Sequence, residues 1–196
     1  MDLCYKKFDW KPLPDNLSNK ILKFAQESHE KNIGHVCHFA YLLHPKLTSD
    51  IITWYARFDD KHRPPVHKAL GVQITILTTD VAPHSDPYRD NTYFYLLKNG
   101  GPNVKTYWWD NPNNLVRSEY YTSVNGLNMI ESHVIEQGTW NMFNHEIVHS
   151  VENVKDMRIS LNFHLNFTSP MLNGPLLRDI FKQWKTMDFV KEMYEQ

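Results

Sequence analysis

The chain has 196 residues, with 21 Lys and Arg against 22 Asp and Glu, 11 His and only 2 Cys. That length suits one domain with one sizeable core, and a net charge of −1 offers no general attraction for nucleic acid or an anionic membrane. Two cysteines, Cys4 and Cys37, make no disulfide framework and point to a reducing, cytoplasmic setting; no apolar run reaches the ~20 residues of a membrane helix.

The N-terminal stretch MDLCYKKFDWKPLPD has no apolar core of the kind a signal peptide carries. After Pro14, the spacing of Leu17, Ile21, Leu22 and Phe24-Ala25 predicts a helix that Asp15 would cap. A second helix is predicted over Leu47 to Phe58, with Ile51, Trp54 and Tyr55 on one side, so that about 15–60 forms a helical N-terminal part. The pattern then changes. Leu70 to Thr78 (LGVQITILT) is rich in β-branched residues and reads as a strand, as does Thr92 to Lys98, closed by the Asn99-Gly100-Gly101-Pro102 turn. Further strands fit Val104 to Trp109, Asn128 to Glu136 and Met157 to Asn166; the loop-rich 107–128 stretch reads as a flap. Gly174-Pro175 opens helices that run to Gln196. Helices, then at least six strands at roughly 10-residue spacing, then helices predict a mainly β fold with flanking helices, a sandwich or barrel over about 68–167.

Two motifs compete for a metal. His84-Ser85-Asp86 follows a predicted strand, and on extended backbone residues two apart point the same way, so its imidazole and carboxylate can reach one cation. Chance alone supplies about 0.7 such triplets in a chain of this composition, so the motif is weak by itself. His145-Glu146-Ile147-Val148-His149 matches HExxH, which chance supplies only about 0.03 times. On a helix, His145 and His149 would hold zinc with Glu146 as general base of a hydrolase. Against the helix, no His or Glu follows at a familiar spacing for a third ligand, and the sequence continues in strict alternation. From Met157 onward Arg158, Ser160 and Asn162 fall on one face, and Ile159, Leu161 and Phe163 on the other. An Asn153-Val154-Lys155-Asp156 turn joining strands 147–152 and 157–163 as a hairpin would bring His149 and Arg158 to one cavity. There the planar fork of Arg158 suits a carboxylate, and the Ser160 hydroxyl adds a further donor.

These residues carry a resemblance. The span from Pro83 to Phe163 resembles the double-stranded β-helix (jelly-roll, cupin-like) oxygenases that use Fe(II) and 2-oxoglutarate. More narrowly, WNMFNHEIVHSVENVKDMRISLNF (140–163) resembles the aspartyl/asparaginyl β-hydroxylase-like branch. The resemblance implies that His84, Asp86 and His149 ligate iron, that Arg158 binds the distal carboxylate of 2-oxoglutarate, and that Ser160 assists it. It further implies a dioxygenase that takes dioxygen and hydroxylates an unactivated C–H bond of a small molecule, a peptide or an amino-acid side chain. Within that reading Asn91 or Tyr93 would support the cosubstrate, and Arg89, Trp108 and Trp109 would meet the substrate. Two other classes stay open: the zinc hydrolase on His145, Glu146 and His149, and a catalytically silent cupin-like binding protein.

Overall fold

The computed structural model describes residues 4–31, 38–65, 71–86, 91–111 and 125–164. Arg89, Cys37 and the helices expected over 174–196 lie outside them, as does the 112–124 part of the expected flap.

The chain opens with a short strand, β1 (Tyr5–Phe8), and then helix α1 (Asp15–Glu30). Leu17, Ile21 and Ala25 repeat at four-residue intervals and are the buried face of α1. Asp15 is not its cap: Pro14 holds that place in extended backbone, and its carbonyl accepts from the Leu17 and Ser18 N–H groups. Asp15 instead stands in the first turn, where a carboxylate complements the helix dipole. β2 (His38–Leu42) follows, then α2 (Pro45–Tyr55). α2 starts two residues before its predicted position because Pro45 is preset for a first helical turn and the His44 ring caps it, Nδ1 accepting from the Lys46 N–H.

Eight strands then make the body of the molecule: β3 (Gly71–Leu77), β4 (Val81–His84), β5 (Asn91–Asn99), β6 (Lys105–Asp110), β7 (Asn128–His133), β8 (Trp140–Asn144), β9 (Val148–Glu152) and β10 (Arg158–His164). They deal themselves between two antiparallel sheets. One is ordered β1-β8-β5-β10-β3-β2 and the other β4-β9-β6-β7. The expected double-stranded β-helix is therefore what forms, with β1 and β2 extending the edges of the larger sheet. Among the described residues no helix is long and apolar enough to cross a membrane.

The main core lies between the helices and the outer face of the six-stranded sheet. Ile21, Ile51 and Tyr55 pack there against Ile74, Ile76, Trp140, Ile159, Leu161 and Phe163. The Trp140 indole N–H donates to the Tyr55 hydroxyl at 2.6 Å, so the polar tips of both rings are satisfied where they are buried. The alternation along β10 thereby fixes its register. Apolar residues 159, 161 and 163 take the helix side, and Arg158, Ser160 and Asn162 are left to face the space between the sheets.

The expected hairpin between 147–152 and 157–163 does not form. β9 pairs with β4 and β6, whereas β10 pairs with β3 and β5 in the opposite sheet. The segment between them crosses from sheet to sheet, a gap of about 10 Å that a handful of residues at ~3.3 Å each can span. Asn153 adopts a left-handed φ of 67° at the start of this crossing. Its middle is tied down by the Lys155 and Asp156 N–H groups, both donating to the Gly100 carbonyl at 2.9 Å. Gly100 itself has φ +88°, and a Cβ there would lie 2.7 Å from the Cβ of Arg158 and 3.2 Å from the Asp156 carbonyl oxygen. Gly100→Ala is thus expected to destabilise the fold by more than the ~1–2 kcal/mol of left-handed strain, read as a lowered midpoint in thermal denaturation.

Candidate metal centre

The last residue of β4, His84, stands directly across from His149 of β9 in the strand register, and their ring centroids are 4.4 Å apart. Both are almost fully enclosed, at 8% and 4% exposure. Each ring is aimed in the same way. Nδ1 of His84 lies 2.9 Å from the Ala82 carbonyl oxygen, and Nδ1 of His149 lies 2.9 Å from that of Ile147. A carbonyl only accepts, so each Nδ1 donates to it and each ring is turned with Nε2 as the atom that can face a metal. Asp86, two residues beyond His84, completes the group: one ligand atom from each of His84, Asp86 and His149 lies within 4.8 Å of the others. Two imidazoles and one carboxylate fit a divalent transition metal and match the set that leaves coordination positions open on iron(II).

Burial is the main reason the His149 imidazole is held well below its ordinary value, and the neighbouring His84 and His145 rings add to it. The ring is therefore ready to ligate without first losing a proton. The sign for stability follows. Below pH ~6.5 the unfolded chain takes up a proton at this residue that the folded one resists, so the metal-free protein loses stability as pH falls from there. Thermal melts in a chelator are expected to show a midpoint that drops between pH 7 and 5, and a flat profile would contradict it.

His145, Glu146 and His149 do not sit on a helix. β8 ends at Asn144, residues 145–147 bend, and β9 begins at Val148. Glu146 is exposed, its N–H held by the Asn144 side chain, and His145 points its Nδ1 at the Asp86 carboxylate, 2.8 Å from Oδ2. The zinc-hydrolase arrangement is absent. Glu146→Gln is expected to leave cation affinity, followed by calorimetric titration, at the wild-type value.

Behind the three ligands lies a cavity between the sheets, lined by both ends of the site: His84, Asp86, His145 and His149 at one, Arg158, Ser160, Asn162 and Thr106 at another, with Phe94, Phe143 and Ile135 among its apolar walls. Arg158 is only 6% exposed. Its Nη2 donates to the Thr106 hydroxyl at 3.3 Å, while Nη1 is buried with no hydrogen-bond partner among the described residues. Among them no carboxylate pairs with it either. Burial pulls the guanidinium down to about 10, against a smaller opposing effect of Tyr5. A buried cation with an unused donor is costly unless an anion arrives to meet it. The Asn162 amide, donating to the Thr75 hydroxyl at 2.6 Å, adds to the polar lining of this cavity.

Other expected site residues fall elsewhere. Tyr93 packs against Phe8 and Trp10 on the helix side of its sheet, away from the cavity, and Asn91 is exposed at the start of β5. On β5 it is Phe94, not Tyr93, that reaches the cavity. Trp108 is wholly enclosed by rings including Tyr5, His133 and Phe143 and does not line the cavity. Trp109 stacks on Tyr107, and its indole N–H donates to the Ser150 hydroxyl at 3.0 Å. Thr106, Thr75 and the His145–Asp86 contact are features the sequence pattern does not announce.

No protein-family model and no curated protein matches the sequence. Solved structures do. The chain is similar to a non-heme α-ketoglutarate-dependent carbocyclase, SnoK, from nogalamycin biosynthesis, with a TM-score of 0.57 and 12% identity over 89% of this chain and 86% of that one. It is similar to a Pseudomonas putida prolyl-4-hydroxylase at a TM-score of 0.51 and 10% identity, covering 84% of this chain and 92% of the other. The epimerase SnoN, solved with Fe3+, α-ketoglutarate and nogalamycin RO, matches at 0.50 with 12% identity, over 82% and 78% of the two chains. At such identities the likeness is one of fold, the double-stranded β-helix described above.

Proposed function

We propose that the chain is an Fe(II)- and 2-oxoglutarate-dependent oxygenase that hydroxylates an unactivated C–H bond of a small molecule or an amino-acid side chain. The observation that carries this reading is a single cavity with a two-His, one-carboxylate group on one side and a buried guanidinium with an unused donor on another. That pairing suits a ligand whose one end chelates a metal and whose other end is a carboxylate. The enclosed rings of His84 and His149, with Asp86, would hold the iron; the fork of Arg158 would take the distal carboxylate, with Ser160 and Thr106 beside it.

Bound iron supplies the oxidative chemistry, in which 2-oxoglutarate, dioxygen and R–H give succinate, carbon dioxide and R–OH. The chain's own part is to fix the cosubstrate by its two ends and to keep bulk water away. The apolar side chains of Leu77, Val81, Val151 and Phe94 on the cavity wall serve that exclusion. A two-cysteine chain in a reducing, cytoplasmic setting fits a ferrous site. The narrower tie to the aspartyl/asparaginyl β-hydroxylase-like branch is supported by the 140–163 segment alone.

The test is succinate release from 2-oxoglutarate by the purified protein under air. It should require added Fe(II), stop with a chelator and return with iron but not with zinc. No succinate at all across a panel of small molecules and peptides would speak for the silent binding protein, and production unaffected by the chelator would contradict an iron-dependent reaction.

A further inference from the structure

Among the described residues, His145 is the one buried histidine beside the metal group that is not in it. Its ring is fixed from two directions. Nδ1 lies 2.8 Å from Oδ2 of Asp86, and the ring leans on Phe143 at a centroid distance of 4.0 Å. The backbone closes the same link from the other side, the Asp86 N–H donating to the His145 carbonyl at 2.9 Å. Asp86 itself sits past the end of β4, outside any strand ladder, with its side chain 23% exposed against 8% for His145. A carboxylate so placed has several rotamers open to it, and His84 and His149, both seated in paired strands, have no such freedom.

From this we infer that His145 is the positioning residue of the metal centre, holding the Asp86 carboxylate by one oxygen so that it ligates through the other. The inference rests on the proposed metal site. It assigns the HExxH-like stretch a role without a helix: His149 is a ligand, and His145 orients the ligand that comes from beyond β4. The contact is made between the chain's own residues, so the Asp86 carboxylate needs less ordering when a cation binds. Residues that hydrogen-bond a metal ligand in this way typically account for 10–100-fold in metal affinity.

The experiment is a titration of the metal-free protein with Co(II) under argon, following both affinity and the visible absorption that reports the cation's coordination, with no substrate or turnover. Wild type and His84→Ala come first: tight binding by the former and its loss in the latter are the premise. If wild type binds no cation, or His84→Ala binds as well as wild type, the functional reading falls and this inference with it. Given the premise, His145→Leu is expected to weaken Co(II) by roughly 10–100-fold and to alter the spectrum. His145→Asn, whose side-chain amide can donate from near the position of Nδ1, should return both towards wild type. Should the leucine variant fail to fold by circular dichroism, His145→Gln, with its amide one bond further out, takes its place and the same loss is expected. A Leu or Gln variant with wild-type affinity and spectrum overturns the inference, and so does an Asn variant as weak as they are.

Discussion

Arg158→Met is expected to weaken 2-oxoglutarate binding by two to three orders of magnitude while leaving cation affinity unchanged. Truncating one member of a buried, hydrogen-bonded charge pair costs about 2–5 kcal/mol, and each 1.4 kcal/mol is about a factor of ten. The guanidinium meets no carboxylate among the described residues, so its whole electrostatic purpose is deferred until an anion enters. The same fact gives the variant a second signature. In the ligand-free protein the arginine is a desolvated cation whose burial already pulls it down to about 10, so replacing it by an apolar chain of similar length removes a cost. The variant's melting midpoint without ligands should equal or exceed that of wild type, and the upward shift that 2-oxoglutarate gives wild type should vanish. A fall in ligand-free stability, with cosubstrate affinity retained, would mean that Arg158 is a structural residue.

His149→Ala should act at the other end of the cavity. Loss of one of three ligands is expected to weaken Fe(II) or Co(II) by more than the 10–100-fold typical of a residue that only supports a ligand, and to reduce 2-oxoglutarate turnover to background. Because this ring faces His84 and cannot readily be replaced by a neighbour, no rescue by His145 is expected, though the two rings are only 5.3 Å apart. His145 is committed to Asp86 through Nδ1. Binding assayed calorimetrically and succinate assayed chemically should fall together. Retained cation affinity would remove His149 from the site.

How far this was readable from residues alone differs along the chain. The 157–163 alternation told both faces of β10 correctly, because one face meets a dry helical layer and the other a polar cavity, and a period of two cannot satisfy both in any other register. The likeness of 83–163 to the oxygenases gave the double-stranded β-helix, and His84, Asp86 and His149 converge. The hairpin failed for a reason local sequence does not hold: a short turn serves equally to reverse a strand within a sheet or to cross to the facing one, and the Gly100 carbonyl some fifty positions earlier decides between them. The face that Tyr93 takes is not legible in the sequence, since β5 is buried on both sides and its aromatics give no parity signal. β1 and β2 are short edge strands recruited by neighbours distant in sequence, and they carry no pattern of their own. The partner of His145 is not legible from the HExxH spacing, because the chain bends at 145–147 between two strands and brings the ring to Asp86, distant in sequence.

The most direct measurement is an anaerobic absorption titration of the metal-free protein with Fe(II) and 2-oxoglutarate, run beside His84→Ala. A weak visible charge-transfer band should appear only when both are present, saturate at one iron per chain, and be missing in the variant. Binding of 2-oxoglutarate that ignores the metal, or a band that survives loss of His84, would show that the three ligands and Arg158 do not form one site.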